Sequence, residues 1–252
     1  EEGWVEHDLE EIWLSVVSCV TNLIKNNSLK PEEVVSIGIT NQRETVAIWD
    51  KKTLKPKSRA IVWQDRRTSN YCQKMKEEGI EKVIKEKTGL LLDPYFSASK
   101  MKWLKDNLEL KKNSNYFVGT IDTFLISKLT EGKSFFTDIT NASRTSLFNI
   151  QECKYDEDLL KIFDLEDIQL PEVKENADFF GETKLFGGKI KICGVAGDQQ
   201  AALVGQTCFD PGLVKSTYGT GCFLMLNTGK DLVKSENKLL TTIGYKLNNE
   251  IT

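Results

Sequence analysis

The segment from Gly194 to Gln206, with the sequence GVAGDQQAALVGQ, constrains the fold of this chain more than any other. The residues leading into it are apolar and partly β-branched, and Gly194 and Gly197 allow backbones to approach closely. The segment therefore predicts a strand, a tight turn and a helix. This order is typical of α/β proteins, in which ligands bind outside the carboxyl ends of the strands. Asp198 would lie at such an end.

Asp198 has two interpretations on this segment alone. A carboxylate at the carboxyl end of a strand lies where an α/β enzyme performs its chemistry. An aspartate at a strand-to-helix junction is also a common helix N-cap, which accepts hydrogen bonds from backbone N–H groups. Without further information the N-cap is the favoured interpretation.

Composition limits the classes of partner. The chain has 252 residues and a formal net charge of −3, so it can bury a sizeable core and lacks the basic balance of proteins that bind nucleic acids or anionic membranes. Its apolar runs are far shorter than the roughly 20 residues that cross a bilayer, and no signal-peptide pattern occurs. We expect a cytoplasmic protein with small-molecule or protein partners, no nucleic acid and no membrane insertion. A homo-oligomer is compatible with these features.

The cysteines do not indicate a metal site. The six cysteines are widely spaced, form no C-x-x-C pair, and are accompanied by one histidine, His7. This pattern argues against zinc. Cys193, inside the predicted strand, is expected to act as a small buried hydrophobe.

Hydrophobic periodicity predicts alternating helices and strands. Asp8 and Glu11 match a capping box and predict an amphipathic helix over 9–25, whose apolar face holds Ile12, Val16, Val20, Leu23 and Ile24. Further helices are predicted at 98–107, 122–129 and 156–163, with a solvated helix pair over 68–87. Strands are predicted at 35–39, 45–49, 60–63, 116–118, 190–196, 213–218, 222–226 and 239–247. The segment 135–148 is polar and turn-rich.

The pattern changes after Asp210-Pro211-Gly212, where a strand, a turn and a second strand follow. We therefore expect a first domain over 1–208 and the beginning of a second over 209–252. The chain opens without an initiator methionine and closes on an apparently unpartnered strand, so we expect it to be a fragment.

Polar groups follow several predicted apolar segments, at Arg43–Glu44, Tyr95, Asp198–Gln199 and Thr220. A guanidinium donates hydrogen bonds in a fixed fork and a carboxylate accepts them, so Arg43 beside Glu44 suits a ligand with several hydroxyls. The backbone amides of Gly219-Thr220-Gly221 suit a phosphate.

Taken singly, each of these groups is better explained without a ligand. Arg43 and Glu44 then form an ordinary ion pair on a loop, and Trp63 and Phe223 are core aromatics. The G-T-G sequence lacks the P-loop pattern and is common in hairpin turns.

The motifs are more specific in combination. They occur in the order NQRET (41–45), VWQDRR (62–67), DPYFS (93–97), TNASRT (140–145), GDQQAAL (197–203) and TYGTGCF (217–223). This series resembles the FGGY family of carbohydrate kinases along essentially the whole chain, and within that family it resembles the glycerol kinases. GDQQAA alone indicates the broader family. Ala98 and Ser99 stand where the family commonly has Gly and Thr.

The resemblance implies an α/β fold of the actin-like ATPase (ribonuclease H-like) type, whose two domains close over ATP, Mg²⁺ and glycerol. Residues 1–208 would be the N-terminal FGGY kinase domain without its first strands, and 209–252 the truncated beginning of the C-terminal one. The implied activity is ATP-dependent phosphorylation of glycerol to sn-glycerol 3-phosphate. The alternatives are another polyol or sugar kinase of the family, and a noncatalytic polyol-binding fragment.

The resemblance also implies residue roles. Asp198 would be the catalytic base and would approach Mg²⁺ through ATP or a water molecule, while Thr220 would contact the ATP phosphates. Glycerol would be bound by Arg43, Glu44, Trp63, Tyr95, Asp198, Gln199 and Phe223. The family's DQGTT-type phosphate loop does not occur in this sequence, so we expect little activity from the chain alone.

Overall fold

The computed structural model describes residues 2–110, 115–219 and 221–252. Its helices are α1 (Leu9–Asn26), α2 (Ser69–Glu77), α3 (Glu81–Thr88), α4 (Ser97–Asn107), α5 (Ile121–Leu129), α6 (Ile139–Ala142), α7 (Glu157–Ile162) and α8 (Asp198–Gly205), with a 3₁₀ turn at Pro31–Glu33. Its strands are β1 (Glu6–His7), β2 (Ser36–Asn41), β3 (Val46–Asp50), β4 (Ala60–Ile61), β5 (Tyr116–Thr120), β6 (Phe136–Asp138), β7 (Phe148–Asn149), β8 (Lys154–Tyr155), β9 (Glu172–Lys174), β10 (Gly181–Thr183), β11 (Ile190–Gly197), β12 (Val214–Tyr218), β13 (Cys222–Leu226), β14 (Lys246–Leu247) and β15 (Glu250–Ile251). Among the helices described, none has an apolar stretch long enough to span a bilayer.

Two sheets form the framework. The first has the order β1-β4-β3-β5 and is antiparallel, and the second has the order β10-β11-β2. In the second sheet β11 and β2 run parallel, and their last pair joins Gly197 to Asn41. Because parallel strands end at the same edge of a sheet, the residues that follow β2 and β11 become neighbours. Arg43 and Asp198 are two of these residues.

Strand β3 lies between two apolar clusters. Val46 and Ile48 belong to one cluster, and Ala47 and Trp49 belong to the other. All four side chains are fully buried, as expected for an uninterrupted apolar run in a strand covered on both faces. The loop that precedes β3 is therefore held by a rigid strand.

Helix α1 begins and packs as predicted, with one exception. Asp8 accepts hydrogen bonds from the N–H groups of Glu10 and Glu11, and half-buried residues such as Val16 contact the core. The prediction that Leu23 is buried is wrong, since its side chain is 59% exposed. Ile24 beside it is half-buried and packs against the core, so Leu23 lies on the outer side of the last turn.

The predicted strand over 239–247 is wrong for most of its length, because only Lys246–Leu247 is extended and paired there. The backbone of Thr241 instead donates to the carbonyl oxygen of Gly89 at 3.0 Å, and Leu239 is 70% exposed. The apolar residues of this segment therefore do not form a ladder.

The polar segment 135–148 forms β6, α6 and the start of β7, and its residues from Thr137 onward are all buried. Its polar side chains bond to one another and to neighbouring strands. In this segment, polarity marks a buried hydrogen-bonded cluster.

Candidate functional site

The candidate site lies where β2 and β11 end side by side. Arg43 Nε lies 3.3 Å from Asp198 Oδ1. The arginine side chain is only 5% exposed, whereas that of the aspartate is 45% exposed. A buried cation is thus joined to a carboxylate that faces open space.

Gly197 allows this arrangement. A Cβ atom at this position would lie 2.5 Å from Arg43 Cγ and 2.6 Å from Arg43 Cδ, which is too close for any side chain. Glycine is therefore required for the arginine side chain to cross the end of β11.

Asp198 is not the N-cap of α8, so that interpretation is wrong. Gly197 occupies the cap position, and Asp198 is the first residue of the helix. Asp198 Oδ1 accepts a hydrogen bond from the N–H of Gln199 at 2.8 Å, and Oδ2 has only a 3.4 Å contact with the Gln199 amide. One carboxylate oxygen therefore keeps most of its capacity to accept a hydrogen bond or a proton.

Glu44 is buried between two guanidinium groups. Its Oε1 lies 2.6 Å from Arg144 Nε and 3.8 Å from Arg43 Nε, and its side chain is 1% exposed. Its backbone has a φ of 62°, which directs the side chain inward, and its carbonyl oxygen accepts from Ser97 Oγ at 3.2 Å. Arg43 and Glu44 do form the expected ion pair, but both side chains are buried, unlike those of an ordinary ion pair on an exposed loop.

Sequence reasoning missed the role of Arg144. Its position inside TNASRT offered one signal, since it is the only basic residue in that motif. A buried arginine requires a carboxylate partner, and Glu44 supplies it.

Three aromatic side chains form one wall of the site. The ring centroid of Trp63 lies 5.5 Å from that of Tyr95 and 6.1 Å from that of Phe223. Each ring is half-buried, so none is enclosed as a core residue would be. Burial raises the pKa of Tyr95, and the negative charge of Glu44 raises it further, so the phenol keeps its proton as a hydrogen-bond donor. A Cβ atom at Gly221 would lie 2.6 Å from Phe223 Cε2, so a side chain there would displace the Phe223 ring.

Lys100 holds the loop that carries Tyr95. Its side chain is 1% exposed, and its Nζ donates to the carbonyl oxygens of Pro94, Tyr95 and Phe96 at 2.5, 2.7 and 3.1 Å. The three N–H bonds of one ammonium group thus meet three acceptors. No feature of the DPYFS motif predicted this contact.

The pH dependence of stability tests this buried ammonium. Burial lowers the pKa of Lys100 from 10.5 to about 8, although nearby Glu44 and Asp65 favour its charged form. Between these values the unfolded chain holds the proton that the folded chain releases, so the unfolding free energy rises with pH. We expect the wild type to gain about 3 kcal/mol across this range relative to Lys100→Met, measured by urea unfolding at several pH values.

Lys102→Met is the matched control on the same helix. Partial burial lowers the pKa of Lys102, but its bonds to Asp106 and Asp164 raise it above the ordinary value overall. Its contribution is therefore lost only above pH 10.5, and the control should run parallel to the wild type from pH 8 to 10. Parallel curves for Lys100→Met would contradict the prediction.

Two further polar residues support the site and were not predicted. Lys215 on β12 is fully buried and donates to Gln199 Oε1. Burial lowers the pKa of Lys215, while nearby Asp198 opposes this effect. Gln200 Oε1 accepts from Arg43 Nη1 at 3.1 Å. Lysines are rarely buried in strands, so the sequence carried no signal for Lys215.

The structure describes only part of the turn Gly219-Thr220-Gly221, which the sequence predicts to bind a phosphate. Thr220 lies outside the described residues, so its contact with phosphate stays a prediction. The N–H of Gly219 donates to the Gly221 carbonyl oxygen at 3.1 Å, so this amide is engaged within the turn and not free for a phosphate.

Asp198 is also the candidate ligand of this chain for a magnesium ion. In the described ranges, no three His, Cys, Asp or Glu side chains converge on a metal position. Mg²⁺ is commonly held by one or two carboxylates together with substrate phosphates and water, and the open oxygen of Asp198 fits that use.

The site as a whole combines charged and polar donors and acceptors with an aromatic wall. Arg43 and Tyr95 can donate hydrogen bonds, and Glu44 and Asp198 can accept them. This combination suits a small ligand with several hydroxyls and a short carbon backbone.

Sequence comparison relates the chain to kinases. The profile of the "FGGY family of carbohydrate kinases, N-terminal domain" matches residues 1–205. Glycerol kinase of Sinorhizobium fredii is 54% identical over 258 residues, which cover 100% of this chain and 52% of that protein. Glycerol kinase of Rhizobium meliloti is 55% identical with the same coverage. The chain spans about half the length of the curated relatives it matches.

Structural comparison agrees. The crystal structure of Plasmodium falciparum glycerol kinase with ADP has a TM-score of 0.94 and 40% identity, covering 100% of this chain and 52% of that one. The ligand-bound xylulose kinase of Lactobacillus acidophilus has a TM-score of 0.79 and 22% identity, covering 89% and 46%. The second likeness concerns the fold alone. The predicted actin-like α/β fold is confirmed.

Proposed function

Because this chain belongs to the FGGY family of carbohydrate kinases, we propose that it is part of an ATP-dependent glycerol kinase, which phosphorylates glycerol to sn-glycerol 3-phosphate. The observation that carries the proposal is the meeting of Arg43, Glu44 and Asp198 beside an aromatic wall. The identity of 54% to a glycerol kinase along the whole chain supports the same substrate.

The proposed binding mode follows from the site. Arg43 and Glu44 hydrogen-bond glycerol hydroxyls, with further bonds from Tyr95 and Gln199. Trp63, Tyr95 and Phe223 cover the carbon backbone and exclude water. Because glycerol has little apolar area, selectivity depends on leaving buried polar groups unpaired when a wrong substrate binds.

Asp198 acts as the proton acceptor in this proposal. When bound, ATP with Mg²⁺ supplies the phosphoryl group and balances its charge. The loose transition state requires an oriented attacking oxygen more than a strong base, so a carboxylate suffices. Arg43 holds the carboxylate, and Asp198 takes the proton from the hydroxyl that becomes phosphorylated. Thr220 is proposed to contact the ATP phosphates.

The proposal includes a domain boundary after residue 208. The family profile ends at residue 205, shortly before the hairpin of β12 and β13, which supports this division. Residues 209–252 would begin the C-terminal domain. A cytoplasmic location, the use of Mg²⁺ and assembly as a homo-oligomer are further predictions.

Glycerol-dependent ADP formation by the full-length protein tests the proposal. We expect turnover with glycerol, and little or none with this chain alone. A preference for xylulose or gluconate in a substrate panel would replace glycerol by another sugar substrate. If no substrate is phosphorylated but calorimetry detects glycerol binding that Arg43→Ala abolishes, the site is a noncatalytic polyol-binding module.

Gly197→Ala tests the crossing of Arg43 over β11. The added methyl group collides with Arg43 Cγ and Cδ, so the guanidinium must move from its position. Displacement of a binding group by about 1 Å can cost about 100-fold, so we expect kcat/KM for glycerol to fall by about that factor. Gly205→Ala is the control, because a Cβ atom added at Gly205 would have no heavy atom within 4 Å. Equal kinetics for the two variants would contradict the prediction.

A further inference from the structure

A buried polar cluster lies behind the proposed glycerol site and is not among the residues assigned to bind ligand. We define it as Asp138, Thr140 and Asn141 of the β6–α6 segment. All three side chains are fully buried. The cluster bonds to the ends of both strands that lead into the site.

The cluster holds β11 at two points. The hydroxyl of Thr140 donates to Asp138 Oδ2 and accepts from the N–H of Gly197 at 2.9 Å. The side-chain amide of Asn176 donates to Asp138 Oδ2 at 2.8 Å and to the Val195 carbonyl oxygen at 2.9 Å. The residue just before Asp198 is thus tied to Asp138 through one hydroxyl.

The same cluster holds β2. Asn141 and Asn41 exchange two side-chain hydrogen bonds, each 3.0 Å long. Asn141 Nδ2 also donates to Asp138 Oδ1 at 2.7 Å. Asn41 ends β2 and precedes Arg43 by two residues. The ends of both strands are therefore linked through hydrogen bonds to the carboxylate of Asp138.

This connection begins where the sheet ends. The last backbone pair between β2 and β11 is Asn41 with Gly197, and beyond it the two chains diverge into a loop and a helix. No ladder remains there to set the distance between Arg43 and Asp198. Besides the direct contacts of Arg43 with Asp198 and Gln200, the side chains of the cluster connect the ends of the two strands.

We propose that Asp138, Thr140 and Asn141 are positioning residues that hold Arg43 and Asp198 at their working separation. This inference rests on the proposed function, because its kinetic effect is measured on glycerol phosphorylation. Thr140 is the critical member, since its single hydroxyl both donates to the Asp138 carboxylate and accepts from the Gly197 amide.

The test compares Thr140→Val with Thr140→Ser in the full-length protein. Valine has nearly the same shape but no hydroxyl, and serine keeps the hydroxyl. We expect Thr140→Val to lower kcat about tenfold or more while the glycerol KM changes less than about threefold, because Asp198 moves while the other glycerol contacts remain. Thr140→Ser should restore most of kcat.

Thr130→Val is the matched control. Thr130 is also buried, and its hydroxyl also donates and accepts, to the Ile126 carbonyl oxygen at 2.8 Å and from the Ser134 N–H at 3.2 Å. It lies at the end of α5 and bonds to neither β2 nor β11. Equal losses of kcat in Thr130→Val and Thr140→Val, or no rescue by serine, would overturn the proposal.

Hydrogen exchange gives a readout independent of activity. The Gly197 amide should lose protection in Thr140→Val and keep it in Thr140→Ser and Thr130→Val. If the wild type does not phosphorylate glycerol, the proposed function fails, and exchange alone decides whether the cluster holds β11. Unchanged protection in Thr140→Val would refute the inference.

Discussion

Asp198→Asn in the full-length protein is expected to lower kcat for glycerol phosphorylation about 1,000-fold, with a change in glycerol Kd of less than about tenfold. Asparagine keeps the size of the side chain and an acceptor oxygen near Arg43, but it cannot take the proton of the attacking hydroxyl. The ion pair between Arg43 and Asp198, 3.3 Å long, is also lost, so glycerol binding should weaken to a smaller extent. Steady-state kinetics and calorimetry measure the two effects separately.

Asp210→Asn serves as the control for this experiment. Asp210 is exposed and lies in the turn before β12, so the same chemical change should leave kcat unaltered. Near-normal turnover of Asp198→Asn would return Asp198 to a structural role at the start of α8.

Glu44→Ala is expected to reduce both stability and binding. The substitution leaves the guanidinium groups of Arg43 and Arg144 buried without this carboxylate, and breaking a buried pair in this way costs about 3–5 kcal/mol of unfolding free energy. Loss of a charged acceptor should weaken glycerol binding about 10- to 100-fold. Urea unfolding and calorimetry provide the two measurements.

A double-mutant cycle separates the two effects. Glu44→Ala combined with Arg144→Met removes both members of the 2.6 Å contact, so part of the lost stability should return. Glycerol binding should not return, because its acceptor is still missing. Strictly additive losses of stability would show that the contact between Glu44 and Arg144 contributes nothing.

Local sequence patterns predicted the main helices and strands, because burial of one face gives the apolar residues of each helix or strand a regular spacing. The apolar run before Asp50 predicted β3, and the capping residues at Asp8 predicted where α1 begins. The predictions failed where apolar residues follow the expected spacing but are not buried in the structure. Leu23 continues the apolar pattern of α1 into solvent, and in the segment 239–247 only Lys246–Leu247 has a partner strand.

The candidate site was predicted from several motifs taken together. No single motif shows that its residues contact those of another motif. Arg43 and Asp198 do form an ion pair, and the aromatic rings of Trp63 and Phe223 do lie in T-shaped contact. The supporting residues were missed because their partners are distant in sequence. Lys215 and Arg144 are examples, since each is buried only by virtue of a carboxylate or amide in another part of the chain.

The parallel pairing of β2 with β11 also has a consequence for the order of folding. Asn41 and its partner Gly197 are 156 positions apart, so the site requires the closure of a very long loop. Chains whose key contacts are so remote fold slowly, and synthesis proceeds from the amino terminus. On the ribosome, Arg43 must wait for most of this chain to emerge before Asp198 can reach it, and until then the edge of β2 that pairs with β11 lacks this partner.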